Sequence, residues 1–271
     1  MRNKFAPTTF PELNEGLREF ASSAIDILER NFLGVYLQGS FAIGGYDRHS
    51  DVDFIIVTLT ELSAKEVELL QWMHACIFNP WVKHLDGSYF PLDILRATPR
   101  SRKKLWYLDN GSCELVKSVH CNTLVVRWVL REHGIVLAGP APETLIKPIQ
   151  ADKLKGEIRV VISDWGAEIL QDPERFNNRF YQSFIVLSYC RMLHDLQAGS
   201  ISSKRNCAKW AKTNLDPKWR GVIDRTWDAR PNPEVTIRQP ADPSDYERTL
   251  EFVQFAIDKS KQYPDPEPQS K

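Results

Sequence analysis

Leu37-Gln38-Gly39-Ser40-Phe41-Ala42-Ile43-Gly44-Gly45-Tyr46-Asp47-Arg48-His49-Ser50-Asp51-Val52-Asp53-Phe54 joins two apolar runs, Phe32 to Leu37 and Asp51 to Leu59, that read as buried strands. Side chains alternate between the faces of a strand, so Asp51 and Asp53 are expected to project from one side. Two carboxylates this close repel each other unless a cation lies between them. Hard oxygen ligands at the start of a buried strand suit Mg²⁺, which also takes oxygens from substrate phosphates. Gly39 lets the backbone approach a phosphate, and Ser40 offers a hydroxyl and an amide at an expected helix N-terminus. Ser50 adds a donor beside the metal. A Gly-Ser turn alone, or a D-x-D pair alone, is commonplace. With ten residues between them and a strand on each side, they point together to a site for phosphate and metal.

Working outward, Leu13, Leu17, Phe20, Ala24 and Ile27 recur at helical spacing, which predicts a helix over 13–28. Ser63 with Glu66 forms a capping-box pattern, so a helix is expected from there to about Ile77. Leu85 to Leu92 reads as a third strand. Leu124 to His133 reads as a helix stopped by Gly134, and Ile135 to Ala138 as a short fourth strand. Alternating helices and strands indicate an α/β domain over 1–149, a mixed sheet flanked by helices. After Gly139-Pro140-Ala141-Pro142 and Pro148 every periodic segment is helical, predicting an all-α bundle over 150–262. Leu154, Ile158, Val161, Trp165 and Ile169 form one stripe, residues 176–198 a second helix, and Ser244 with Glu247 cap a last one. The proline-rich end, 263–271, is expected to be loose.

The 35 basic and 35 acidic side chains cancel, which weighs against a long nucleic acid as partner. No apolar run of membrane-spanning length and no secretory leader is read, so a cytoplasmic protein without a membrane partner is expected. Five cysteines without a C-x-x-C pair read as thiols in a reducing compartment, and the six histidines lack zinc-ligand spacing.

The Gly-Ser and D-x-D pair resembles the nucleotidyltransferase superfamily related to DNA polymerase β. The resemblance implies that Asp51 and Asp53 hold Mg²⁺ and that Gly39 and Ser40 hold a nucleoside triphosphate. It also implies a third carboxylate on a neighbouring strand, best matched by Asp86 in His84-Leu85-Asp86-Gly87-Ser88-Tyr89-Phe90, with Asp93 as rival. Leu187-Ser188-Tyr189-Cys190-Arg191, Gly199-Ser200-Ile201-Ser202-Ser203-Lys204, Ala208-Lys209-Trp210-Ala211 and, before the linker, Arg131 to Pro140 look like aminoglycoside 3''-adenylyltransferases. That group implies ATP as co-substrate and transfer of AMP to a hydroxyl of an aminoglycoside or aminocyclitol held in the cleft between the domains. Asp86 would take the hydroxyl proton, and Arg191 and Lys204 would neutralise the departing pyrophosphate.

Arg191 also continues the stripe Phe180, Phe184, Leu187, where a guanidinium needs an anion: a phosphate, or a carboxylate such as Asp195 or Asp164. Lys204 sits in the first turn of a helix, where the dipole disfavours a cation. Two departures stand out. The group usually has Glu where Asp86 stands. Members that accept streptomycin carry a Trp and an acidic residue where an ungapped count finds Gly111 and Tyr181. This weighs against streptomycin and leaves spectinomycin or an unrelated alcohol open. Trp106 is a candidate pocket wall. Modification of a protein hydroxyl, as in toxin–antitoxin pairs, and nucleotide binding without catalysis are the alternative readings.

Overall fold

The computed structural model describes residues 6–47, 50–77, 79–81, 84–97, 103–230 and 236–263. Residues 264–271 of the expected loose end, and Arg48 and His49 of the opening stretch, lie outside the described residues. The chain divides into two compact units, Met1–Pro148 and Ile149–Lys271.

The first unit begins with α1 (Pro11–Leu28), started by Pro11 at its first position, where a missing N–H is harmless. Then come β1 (Phe32–Leu37), the short α2 (Gly39–Ile43), β2 (Val52–Thr58), α3 (Ala64–Cys76) and β3 (Leu85–Pro91). The capping box at Ser63 and Glu66 is present, each residue satisfying the other's backbone N–H. After α4 (Leu92–Arg96), β4 (Leu105–Leu108) and β5 (Leu115–Ser118) form an antiparallel pair that adds to the four strands expected from the sequence. α5 (Leu124–His133), β6 (Ile135–Ala138) and α6 (Pro142–Leu145) complete the unit. Gly134 ends α5 for a reason other than a left-handed cap. Its φ is ordinary, and a Cβ there would strike the Leu130 carbonyl.

The six strands form one sheet in the order β5-β4-β3-β2-β1-β6. β2 and β3 run parallel and the other neighbours antiparallel. Alternation assigns each side chain a face. Val35, Leu37, Val52, Phe54, Ile56, Leu85, Tyr89 and Leu108 join Leu13, Leu17 and Phe20 of α1 and Val67, Leu70 and Met73 of α3 in the main core. Cutting Phe20 or Phe54 back to Ala in such a core costs about 3–5 kcal/mol. By the same alternation, Asp53, Asp86 and Tyr107 lie on the opposite face.

The second unit is helical: α7 (Ala151–Gln171), α8 (Arg179–Ala198), α9 (Lys204–Asn214), α10 (Arg220–Ala229) and α11 (Pro243–Ser260). Helix α8 is buried nearly all round, through Ile185, Val186, Leu187, Tyr189, Cys190, Leu193 and Leu196, because the other four helices pack on it. Two details of the sequence reading change. Ile162, not Val161, fills the α7 stripe, and Val161 is exposed. The cap of α11 is Asp242, whose carboxylate accepts from the Ser244 and Asp245 N–H groups, with Pro243 behind it. No helix among the described residues is long and apolar enough to cross a membrane.

Candidate active site

Asp53 and Asp86 are second residues of parallel neighbours, and their Cα atoms are register partners. Their side chains therefore leave the sheet side by side at its edge, both half-buried. β1 ends at the same edge, where Gln38 N–H donates to the Asp53 carbonyl at 3.0 Å. Gly39 follows with φ +59°, and a Cβ on it would collide with the Asp53 carboxylate. Glycine is thus required twice at this position, for its dihedral and for its lack of bulk. Ser40 opens the five-residue α2, and its buried hydroxyl has no hydrogen-bond partner among the described residues. A buried hydroxyl left alone is costly, so an acceptor brought by a ligand would relieve it. Ser50 closes the intervening loop, accepting from the Asp47 N–H at 2.9 Å. Asp51, one residue before β2, is exposed.

Asp86 lies in an acidic corner. Burial pushes its carboxyl from 3.8 up to about 6. The Tyr107 hydrogen bond and the charge of His120 pull it down, while Asp51 and Asp109 push it up. Tyr107 Oη donates to Asp86 Oδ2 at 2.8 Å and lies 3.1 Å from Asp109 Oδ1. The Tyr107 ring rests 5.2 Å from that of His120. Asn110 Nδ2 donates to Asp51 Oδ1 at 2.5 Å, and its Oδ1 is 3.4 Å from His84 Nδ1. Asp51, Asp53, Asp86 and Asp109 thus lie at the same end of the strands as Gly39 and Ser40, although the one group of three metal-compatible side chains already drawn together among the described residues is His194, Asp195 and Cys207. The four aspartates are a set of oxygen donors that fits a hard divalent cation, which would also offset their mutual repulsion.

Asp93 is elsewhere. It sits on α4, beyond the far end of β3, beside a cavity of about 640 Å³ also lined by Thr60 and Lys104. Seven residues of extended strand would span roughly 23 Å, so Asp93 does not reach the carboxylates at the other edge. Trp106 alternates with Tyr107 and packs against the main core, which removes it as a wall beside Asp86. Tyr107, Asp109, Asn110 and His120 were missed by the sequence reading. The available signal was the alternation Leu105-Trp106-Tyr107-Leu108 followed by the turn formers Asp109-Asn110-Gly111.

In the second unit, Arg191 is partly buried on α8 and lies within electrostatic reach of Asp195, so the carboxylate expected as its internal partner is nearby. Burial pushes Asp195 up to about 6, and its hydrogen bond with His194, Arg191 and the Ser202 N–H pull it back. His194, Asp195 and Cys207 are mutually close because Asp195 Oδ1 accepts from His194 Nδ1 at 2.8 Å and from the Cys207 thiol at 3.9 Å. Lys204, the first residue of α9 after the Ser203 cap, has its Nζ 5.2 Å from the centre of the Phe184 ring.

Comparison with known proteins bears on both units. Residues 21–79 match the family described as nucleotidyltransferase domain. Residues 144–255 match the aminoglycoside adenylyltransferase, C-terminal domain, family. Spectinomycin 9-adenylyltransferase of Campylobacter jejuni is 23% identical over 223 residues, 78% of this chain and 83% of its own length. Aminoglycoside (3'')(9) adenylyltransferase of Klebsiella pneumoniae is 23% identical over 262 residues, 88% of this chain and 94% of its own. Among solved structures, spectinomycin adenyltransferase from Enterococcus faecialis, crystallised with ATP and spectinomycin, superposes with a TM-score of 0.68. It is 13% identical over 92% of this chain and 99% of its own, which establishes a shared fold.

Proposed function

We infer that the chain is a nucleotidyltransferase of the aminoglycoside adenylyltransferase kind, which transfers AMP from ATP to a hydroxyl of an aminoglycoside or aminocyclitol such as spectinomycin and releases pyrophosphate. One observation carries the reading. Asp53 and Asp86 are paired on adjacent parallel strands, with Gly39 against Asp53 and, one residue on, the Ser40 hydroxyl buried without a partner among the described residues.

In this reading Asp51 and Asp53 hold Mg²⁺. When bound, the ion would neutralise phosphate charge and favour in-line displacement at the α-phosphorus. The Ser40 hydroxyl and the open backbone at Gly39 take the triphosphate, with Ser50 fixing the loop that presents Asp51. Asp86 accepts the proton of the acceptor hydroxyl as its oxygen attacks the α-phosphorus and the bond to pyrophosphate breaks. In the metal-free chain burial raises the Asp86 carboxyl to about 6, above an ordinary aspartate, and leaves it ionised at neutral pH, the form that a general base needs. Arg191 and Lys204 are assigned to the triphosphate on the family resemblance.

The acceptor class rests on what the relatives are named for. It is tested by pyrophosphate release from Mg·ATP across aminoglycosides, aminocyclitols and a no-acceptor control. Release that depends on an aminocyclitol and vanishes in Asp51→Asn and Asp53→Asn supports the assignment. Equal release without acceptor, or undiminished release in either variant, would remove it.

A further inference from the structure

We infer that Tyr107 and Asn110, at the end of β4, are positioning residues for the transfer site, Tyr107 aiming Asp86 and Asn110 holding Asp51. The inference deepens the function proposed above and rests on it. β4 is the third strand across the site face: Asp53 pairs with Asp86, and Ser88 pairs with Tyr107. Two residues beyond each member of the last pair lie Asp86 and Asp109, so the same register sets Asp109 across from Asp86. Leu108 is then the last residue of the strand, and the chain turns Asn110 back towards Asp51.

The Tyr107 hydroxyl has one proton for two carboxylates, and it goes to Asp86 at the shorter distance, 2.8 Å against 3.1 Å. Its ring is buried, and its backbone is locked to β3, so the hydroxyl cannot swing away. Held at Oδ2, the Asp86 carboxylate cannot rotate freely and presents Oδ1 as the oxygen that takes a proton. Asp51 lies outside the sheet and is exposed, and the Asn110 amide, in the turn that follows β4, donates to its carboxylate. The side of the Asn110 amide that faces Asp51 is set by His84, 3.4 Å from its oxygen. Neither residue is expected to touch the reacting atoms. Tyr107 acts through the base Asp86 and Asn110 through the metal ligand Asp51, in the way hydrogen-bond partners of ligating carboxylates orient them.

The test compares Y107F and N110A with the wild type, each checked for an unchanged melting transition. Turnover and KM for ATP and acceptor are measured, and Mn²⁺ affinity is read by calorimetry with a non-hydrolysable ATP analogue present. Y107F should lower kcat about tenfold or more while leaving both KM values and Mn²⁺ affinity within about twofold. Y107M, which removes the same hydroxyl from a different packing, should give the same split. N110A should weaken Mn²⁺ binding about 10- to 100-fold, a readout that needs no acceptor. Wild-type kcat in the tyrosine variants together with wild-type Mn²⁺ affinity in N110A would overturn the inference. If those values are normal while Asp51→Asn and Asp53→Asn are inactive, the positioning roles fail and the site stands. If Asp51→Asn and Asp53→Asn stay active, the site itself is wrong.

Discussion

Asp86 is a charged group held in a buried corner with two other carboxylates near it, and Asp86→Asn should relieve that strain while removing the base. The displacement of its carboxyl from 3.8 to about 6 corresponds to about 3 kcal/mol by which ionised Asp86 destabilises the metal-free fold. The penalty is fully present above pH 6, where the group is ionised in folded and unfolded chains alike. It shrinks between pH 6 and 3.8 and is absent below. Asn keeps the shape, still accepts from Tyr107 and offers its amide to the neighbouring carboxylates. In EDTA at pH 8, Asp86→Asn should therefore unfold at higher urea, by about 1–3 kcal/mol, or melt roughly 2–12 °C higher. At pH 3.5 the two proteins should coincide. Turnover should fall by about two to four orders of magnitude, the usual worth of general-base help. A variant that is less stable than the wild type at pH 8, or whose gain persists at pH 3.5, would refute the reasoning.

Asp93→Asn, remote from the carboxylates, should leave turnover within about twofold of wild type; a loss as large as that of Asp86→Asn would move the base to Asp93. Gly39→Ala should abolish turnover and destabilise the fold by more than the roughly 1 kcal/mol of a left-handed dihedral alone, because the methyl meets Asp53; normal activity would show that the approach is not tight. His74 is half-buried, paired with the Tyr89 hydroxyl at 2.7 Å, and desolvation pushes it down to about 4. Its contribution is complete above pH 6.5 and is lost as pH falls towards 4, so stability should drop by about 2 kcal/mol between pH 7 and 5, and a flat urea midpoint over that range would contradict it. Arg191→Ala and Lys204→Ala should each weaken ATP binding about tenfold or more by calorimetry; unchanged affinity in both would remove them from the triphosphate.

The apolar runs made the first half of the sheet legible, because β1, β2 and β3 are buried on both faces and short of polar residues. β4 and β5 were not, since four-residue strands flanked by Lys103, Lys104 and the Asp109-Asn110-Gly111 turn leave too few positions for a period to emerge. The same omission hid Tyr107 and Asn110, whose roles exist only once β4 is laid beside β3. Asp51, Asp53, Gly39 and Ser40 were proposed from their spacing within one strand–turn–strand stretch, which the structure folds as β1, α2 and β2. Asp86 was named on the family resemblance alone, because its place beside Asp53 depends on a parallel crossover through α3 that sequence spacing does not register. Gly134 shows the opposite case: the helix end was readable, but its cause lay in a clash with a carbonyl that only coordinates reveal.

The most direct measurement is the mass of the acceptor after incubation with Mg·ATP and the purified protein. Spectinomycin or a related aminocyclitol should gain one adenylyl group for each pyrophosphate released, and Asp51→Asn and Asp53→Asn should yield none. If no aminoglycoside or aminocyclitol gains that mass while pyrophosphate accumulates, or if the adduct forms equally with the two variants, the account of this site as an adenylyl-transfer centre for such acceptors is contradicted.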